Sequence, residues 1–320
     1  MSPKMVFFLL MCFSLVVVTQ NAIAQEVPVT QKETPAASKE ASAAPEEWNP
    51  PSVGPISTWT APLCDKGKLV IQPFFFYNQT RGELDAKGHY NPLPKGDIEY
   101  QFQEQLLVHY GIMEWLEVAA QTVYQENYVK QGGAAAHTHG FGDSYFFLRG
   151  RIVEEKYWLP YITGLLQLKM PTGKYQHEDS EKLGADLMGT GSWDPGFGFI
   201  LTKKLKPFIF HADVIYSLPQ QVSVDYIKTR YANYLNCDLA VEYFLTKGFN
   251  FMVEANAFFQ GDIKEDGIRI PNSQVQYLKI SPALGWSCDK IQILLGYQRV
   301  VMGTNTDASD SVALTCVYTF

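Results

Sequence analysis

The chain's reactive side chains fall into two sets. The first lies in polar, Gly/Ala-rich stretches: His137-Thr138-His139, then His177-Glu178-Asp179, with His89 further upstream. Imidazoles and carboxylates at such spacings are the donors a tetrahedral metal site takes. No Ser or Asp joins them in a recognisable catalytic pattern, so solvated loop histidines are the simpler reading. Neither a catalytic site, a metal nor a cofactor is expected. The second set is larger and more regular. Glu99, Glu117, Asp143, Asp194, Asp213, Asp238, Glu242 and Glu254, with Arg149, Arg151, Lys169, Lys279, His109 and His211, occupy one face of alternating segments. Charges on the inside of a closed sheet must pair or stay hydrated. They mark either a salt-bridged filling or a hydrated path.

The elements that must carry this set are strands. About twelve segments of period two can be cut from the chain: 68–78, 97–110, 115–126, 141–153, 160–170, 193–203, 207–217, 230–244, 249–260, 275–287, 291–302 and 310–320. In the ninth, Phe249, Phe251, Val253, Ala255, Ala257 and Phe259 face one way, and Asn250, Met252, Glu254, Asn256 and Gln260 the other. The links alternate between short turns and longer loops such as 79–96, 127–140, 171–192 and 303–309. Aromatic residues stand at both ends of the apolar faces, as in Tyr100 and Tyr110, Phe208 and Tyr216, and Phe249 and Phe259. Ten residues tilted about 40° span roughly 25 Å, the height of a membrane barrel's apolar band. Rings gather at headgroup level, whereas a globular core scatters them. The expected fold is all-β: a transmembrane, antiparallel up-and-down barrel with short periplasmic turns and longer extracellular loops. Glu104, on an apolar face, calls for a bulge, a register change or a partner. Arg299 stands near a strand end, and Pro73, Pro195 and Pro282 each remove a ladder hydrogen bond.

The two ends agree with export. Lys4, the apolar run Met5–Val18 and Ala22-Ile23-Ala24 read as a signal peptide over residues 1–24. Residues 25–62, rich in Ala, Pro, Glu and Ser, read as a disordered periplasmic leader, which leaves 63–320 for the barrel. The last strand ends on Phe320 and resembles the terminal signal that the barrel-assembly machinery reads; outer-membrane lipid is the other expected partner. A net charge of −7 argues against nucleic acid. Cys64 and Cys288 fall near one rim, and a bridge between them is left open.

Three stretches carry a family likeness: Gly140-Phe-Gly-Asp-Ser-Tyr-Phe-Phe-Leu-Arg-Gly-Arg-Ile152, Leu166-Gln-Leu-Lys-Met-Pro-Thr-Gly173 and Leu187-Met-Gly-Thr-Gly-Ser-Trp-Asp-Pro-Gly-Phe-Gly198. In that order they resemble the outer-membrane family of the meta-pathway of phenol degradation (phenol MetA degradation), regarded as transporter-like. Pro195 and the Pro/Ala-rich leader depart from its pattern. The resemblance implies an outer-membrane barrel of transport function without fixing phenol as a solute.

The functional expectation is passive passage of small solutes, with aromatic or cationic ones favoured, through a charged lumen. Its candidate lining is Asp143, Arg149, Arg151, Lys169, Asp194, His211, Asp213, Asp238, Glu242, Glu254 and Lys279. Phe74, Phe76, Tyr145, Phe147 and Phe258 also face inward and narrow the path. A barrel enzyme with a loop histidine site and a closed structural barrel are the alternatives.

Overall fold

The computed structural model describes residues 48–320 apart from Pro51, Val53, Thr246, Lys247 and Asp289. The signal-peptide reading and leader residues 25–47 lie outside the described residues. The unit considered below is Pro50–Phe320.

Twelve strands make the barrel: β1 Leu69–Leu84, β2 Ile98–Met113, β3 Leu116–Gln131, β4 Ser144–Val153, β5 Tyr161–Met170, β6 Asp194–Leu205, β7 Phe208–Ser217, β8 Tyr234–Phe244, β9 Phe249–Gln260, β10 Val275–Cys288, β11 Ile291–Thr304 and β12 Thr306–Thr319. Each pairs antiparallel with the next, and β12 returns to β1 from Val70↔Thr319 to Leu84↔Thr306. The backbone N–H of Phe320 donates to Leu69 O at 2.9 Å, so the ladder continues to the last residue. Closure leaves no unpaired sheet edge, the condition for a β-structure in hydrocarbon.

Alternation along each strand decides what faces outward. On β11, Ile291, Ile293, Leu295 and Tyr297 are exposed, whereas Leu294 is fully buried and Gln292 and Gln298 nearly so. Phe75, Phe102, Leu106, Phe146, Leu166, Phe199, Leu284 and Leu314 extend the same exposed apolar surface around the barrel. A continuous band of this kind is compatible with lipid and not with water. Trp115, Trp286 and Phe320 stand toward the short-turn rim, and Phe141 and Trp193 toward the long-loop rim; all except Trp286 are at least half exposed. The molecule is a transmembrane β-barrel.

Several registers differ in detail from the sequence reading. Residues 127–140, expected as a loop, continue β3 to Gln131 and return as a strand at Ala134–Phe141, forming a hairpin beyond the rim. The expected loop 303–309 shrinks to a turn at Asn305, whose φ is 47°. The strand expected from residue 230 starts only at Tyr234, where β8 begins. No bulge rescues Glu104. It stays outward, in register with Phe75 and Tyr124, one same-face step from Phe102. Arg299 pairs with Asp310 at 3.6 Å. The three strand prolines keep their places in the ladders, opposite Leu106, Leu168 and Val253. The outer loops are tied together by a small sheet of Val222–Val224, Ile227–Arg230, Lys264–Glu265 and Ile268–Arg269. Cys64 and Cys288 are both free thiols.

Candidate functional site

The barrel's core is inside it, and a non-barrel segment supplies its centre. Residues 54–66 form a strap that rises into the lumen and returns to the short-turn rim, where Gly67 N–H donates to Gly111 O at 2.7 Å. This corrects the reading of residues 25–62 as wholly disordered, since Ile56 and Ala61 are buried against Phe74, Phe147, Leu165, Ile200 and Met252. The signal lay in Ile56 and Trp59, large apolar residues close together at the end of the leader. Gly111 allows the return: a Cβ there would lie 2.1 Å from Asp65 O.

An irregular strap has no ladder partners, so its backbone donors must be satisfied by the wall. The wall supplies carboxylates. Glu254 accepts the N–H groups of Ile56, Ser57 and Thr58 at 2.8, 2.9 and 2.9 Å, and the Thr58 hydroxyl at 3.0 Å. Asp213 accepts Trp59 N–H at 2.8 Å, and Glu117 accepts Cys64 N–H at 2.6 Å. Glu242 accepts the Ser52 hydroxyl at 2.9 Å. Thr202 Oγ1 accepts Ala61 N–H at 2.8 Å, and Thr163 donates to Ala61 O at 2.6 Å. Arg149 donates to Thr60 O. Need is met on both sides: desolvated carboxylates gain donors, and strap donors gain charge-assisted acceptors.

The remaining lumen charges form two further groups. Near the strap, Glu117 pairs with Arg149 at 2.7 Å and His109 at 2.8 Å, and the Arg149 guanidinium lies 5.0 Å from the Trp59 ring. Glu242 joins His211 at 2.8 Å and Asn250 at 2.6 Å. Asp213 and Asp238 face each other in register, and Lys279 donates to Gln298 at 3.1 Å. Near the outer rim, Lys169 pairs with Asp194 at 2.7 Å and Asp143 at 3.5 Å. Asp143 also accepts Gly173 N–H at 3.1 Å and Thr190 N–H at 3.0 Å. The three family-like stretches therefore converge on one latch that closes the loop 171–193. Gly189 permits that approach, as a Cβ there would lie 2.4 Å from Asp143 Oδ1. Arg151 is apart from both groups, paired with Glu154 at 3.3 Å where β4 runs into its short-turn link.

Above the strap lies a chamber of about 540 Å³, floored by Pro55–Thr60. Its wall is rich in amides and aromatics, including Gln72, Gln103, Gln105, Phe74, Phe76 and Tyr145. Sequence reasoning centred on charges passed over these amides, although Gln101, Gln103 and Gln105 alternate along β2 in plain view. A second cavity, about 420 Å³, shares Asn78, Asp307 and Ser309 with the chamber and is bounded by Leu183–Ala185 and Leu187 of the outer loop. That loop is held by Asn127, which donates to Ala185 O at 2.8 Å, and by a Lys174–Asp186 ion pair. Burial opposes the Asp186 charge, but the Lys174 ammonium and nearby backbone N–H groups outweigh it and lower its pKa.

The loop histidines do not assemble. His137 pairs with Glu126 at 2.5 Å and His177 with Asp225 at 3.5 Å. Among the described residues, no group of three or more His, Cys, Asp or Glu is placed to hold a metal.

Comparison with known proteins gives the following. A family model described as "Putative MetA-pathway of phenol degradation" matches residues 95–315. Among solved structures, an outer membrane channel from Pseudomonas putida F1 is similar at a TM-score of 0.69 and 14% identity, covering 84% of this chain and 100% of that one. The NanC porin is similar at 0.48 and 11%, covering 78% and 98%. The translocator domain of the autotransporter NalP from Neisseria meningitidis is similar at 0.45 and 11%, covering 80% and 89%. The first likeness shows a shared fold. A search of curated proteins finds no sequence match.

Proposed function

The chain belongs to the MetA-pathway phenol-degradation family, and from that premise and the geometry of its lumen we propose that it is a passive outer-membrane channel for small solutes, shut at its periplasmic end by its own strap. One observation carries this reading: the chamber adjoins an outer cavity, while its floor is a segment that contributes no strand to the barrel. Twelve strands lie between the filled eight-stranded barrel and the open sixteen-stranded porin. Such a lumen is wide enough for a small solute only where no strap fills it. The strap's buried contacts are mostly hydrogen bonds, which water can replace once the segment withdraws.

Within this reading the charged lining has two duties. Glu117, Asp213, Glu242, Glu254, His211 and Arg149 hold the strap or hold each other against it. Lys169, Asp143 and Asp194 hold the outer loop, and Asp238 and Lys279 remain facing the chamber. Solutes entering the chamber meet little unpaired charge, so selection for charged solutes arises only after the strap leaves its carboxylates. The terminal strand ending at Phe320 is the segment through which the assembly machinery would insert the barrel, and lipid is its surroundings. A catalytic role has no support in the separate histidine pairs.

Planar-bilayer recording on refolded full-length protein tests the proposal. Low or intermittent currents are expected from the native chain, and steady currents from a variant lacking residues 50–62. Silence from both, with the barrel folded, would refute a channel and favour a closed structural barrel.

A further inference from the structure

Resting on the channel reading, we propose that the chamber above the strap is a binding site for an uncharged, polyhydroxylated ring, the chemistry of a neutral sugar. The first observation is a set of amides without partners. Among the described residues, the side chains of Gln72, Gln103 and Asn236 make no hydrogen bond, yet all three line the chamber. Gln72 is only 8% exposed. Their amide groups open onto the chamber, where a ligand hydroxyl, which both donates and accepts, can bond them in place of solvent.

The second observation is that neighbouring amides are already ordered into pairs. Gln121 donates to Gln105 at 2.6 Å, and Asn78 to Gln101 at 3.1 Å, while Gln101 donates to Asn127 at 2.9 Å. These pairs fix amide orientation around the open positions, which lowers the ordering cost of binding. The third is the aromatic content. Phe74 stacks on Phe76 with ring centroids 6.0 Å apart, and Tyr145 on Phe147 at 5.9 Å; all four line the chamber. Apolar walls with a few convergent polar groups are the character of small-molecule sites, and about 540 Å³ lies within their usual range.

Charge decides between solute classes. The formal charges on the wall balance, Arg149 and Lys279 against Asp238 and Asp307. Arg149 is committed to Glu117 and the strap, and Lys279 to Gln298. Lys279 stands in the same register row as Asp238, both opposite Asn256, so the carboxylate of an acidic sugar would compete there with one already present. A simple phenol would use one or two of the amides and leave the rest unpaired.

Calorimetric titration of the full-length protein in detergent with maltose, glucuronate and catechol tests this. Maltose should bind, and glucuronate should bind at least about tenfold more weakly. The double variant Gln72→Leu/Gln103→Leu should weaken maltose about tenfold, and Asn236→Leu, across the barrel, should do so independently. Neither amide of the double variant has a partner to lose, so the fold is not at risk from lost hydrogen bonds. Catechol binding without maltose binding, or glucuronate bound as tightly as maltose, overturns the assignment. So does an absence of maltose heat in a protein that conducts ions, a result that leaves the channel itself standing. Maltose binding in a protein that never conducts supports the site and sinks the channel.

Discussion

Replacing Glu254 by Gln perturbs the strap at its most heavily bonded point while keeping side-chain volume. The carboxylate accepts four hydrogen bonds, one on Oε1 from Ile56 N–H and three on Oε2. An amide oxygen can take only one of these places. With that oxygen toward Ser57 and Thr58, the new NH₂ group faces Ile56 N–H at the former 2.8 Å contact, donor against donor. Orphaning that N–H costs at least about 1 kcal/mol, and turning three charge-assisted bonds into neutral ones costs about 0.7 kcal/mol each. The sum, about 3 kcal/mol, shifts the docked-to-released ratio of the strap roughly a hundredfold. Because a released strap still tethers to β1, the barrel itself should keep its stability. Two assays read the shift: open probability in planar bilayers, and maleimide labelling of a cysteine placed at Ala61, which is fully buried while the strap is docked. Both should rise by about two orders of magnitude, short of saturation. Unchanged labelling with an intact barrel would mean that the carboxylate does not hold the strap, and the reasoning fails.

Other perturbations address other levels of the structure. Leu295→Arg, on the exposed apolar face of β11 between Ile293 and Tyr297, should cost about 2–4 kcal/mol in folding titrations into lipid vesicles. A negligible cost would place that face in water. Arg149→Met leaves the buried Glu117 with His109 and Cys64 N–H alone, which should lower stability by about 3–5 kcal/mol in denaturant titrations in micelles; equal stability would show the pair to be dispensable. Asp186 is expected to make loop 171–193 acid-sensitive. Its lowered pKa means that the ionised form is the one the loop stabilises. The contribution is full above the ordinary carboxylate value of 3.8 and lost as pH falls through the depressed one. Hydrogen exchange in residues 174–187 should therefore speed up below about pH 4, beyond its intrinsic pH dependence. Lys174→Met should abolish that extra response, and an unaltered response in the variant would contradict the ion pair's role.

The sequence by itself determined the wall. Alternation with a period of two, aromatic residues at strand ends and alternating link lengths are local facts, and the barrel follows because hydrocarbon admits no open sheet edge. The inward identity of Glu117, Arg149, Asp213 and Glu254 was legible for the same reason: on a strand, side-chain direction is set by parity. Partners were not legible, since parity says nothing about which residue stands across a lumen. Only the tertiary structure decided that Glu254 faces Ile56 N–H from a position 198 residues away. Asp143, Lys169, Thr190 and Asp194 meet more locally, where the consecutive strands β4, β5 and β6 pair and set Lys169 opposite Asp194. The strap was missed because its composition is that of a segment unable to bury enough surface alone. Inside the barrel it need not do so, as the wall provides both the apolar surface around Ile56 and Ala61 and the acceptors for its backbone. The open amides of Gln72 and Gln103 belong with it, because an unmade hydrogen bond is a property of surroundings and leaves no trace in the order of residues.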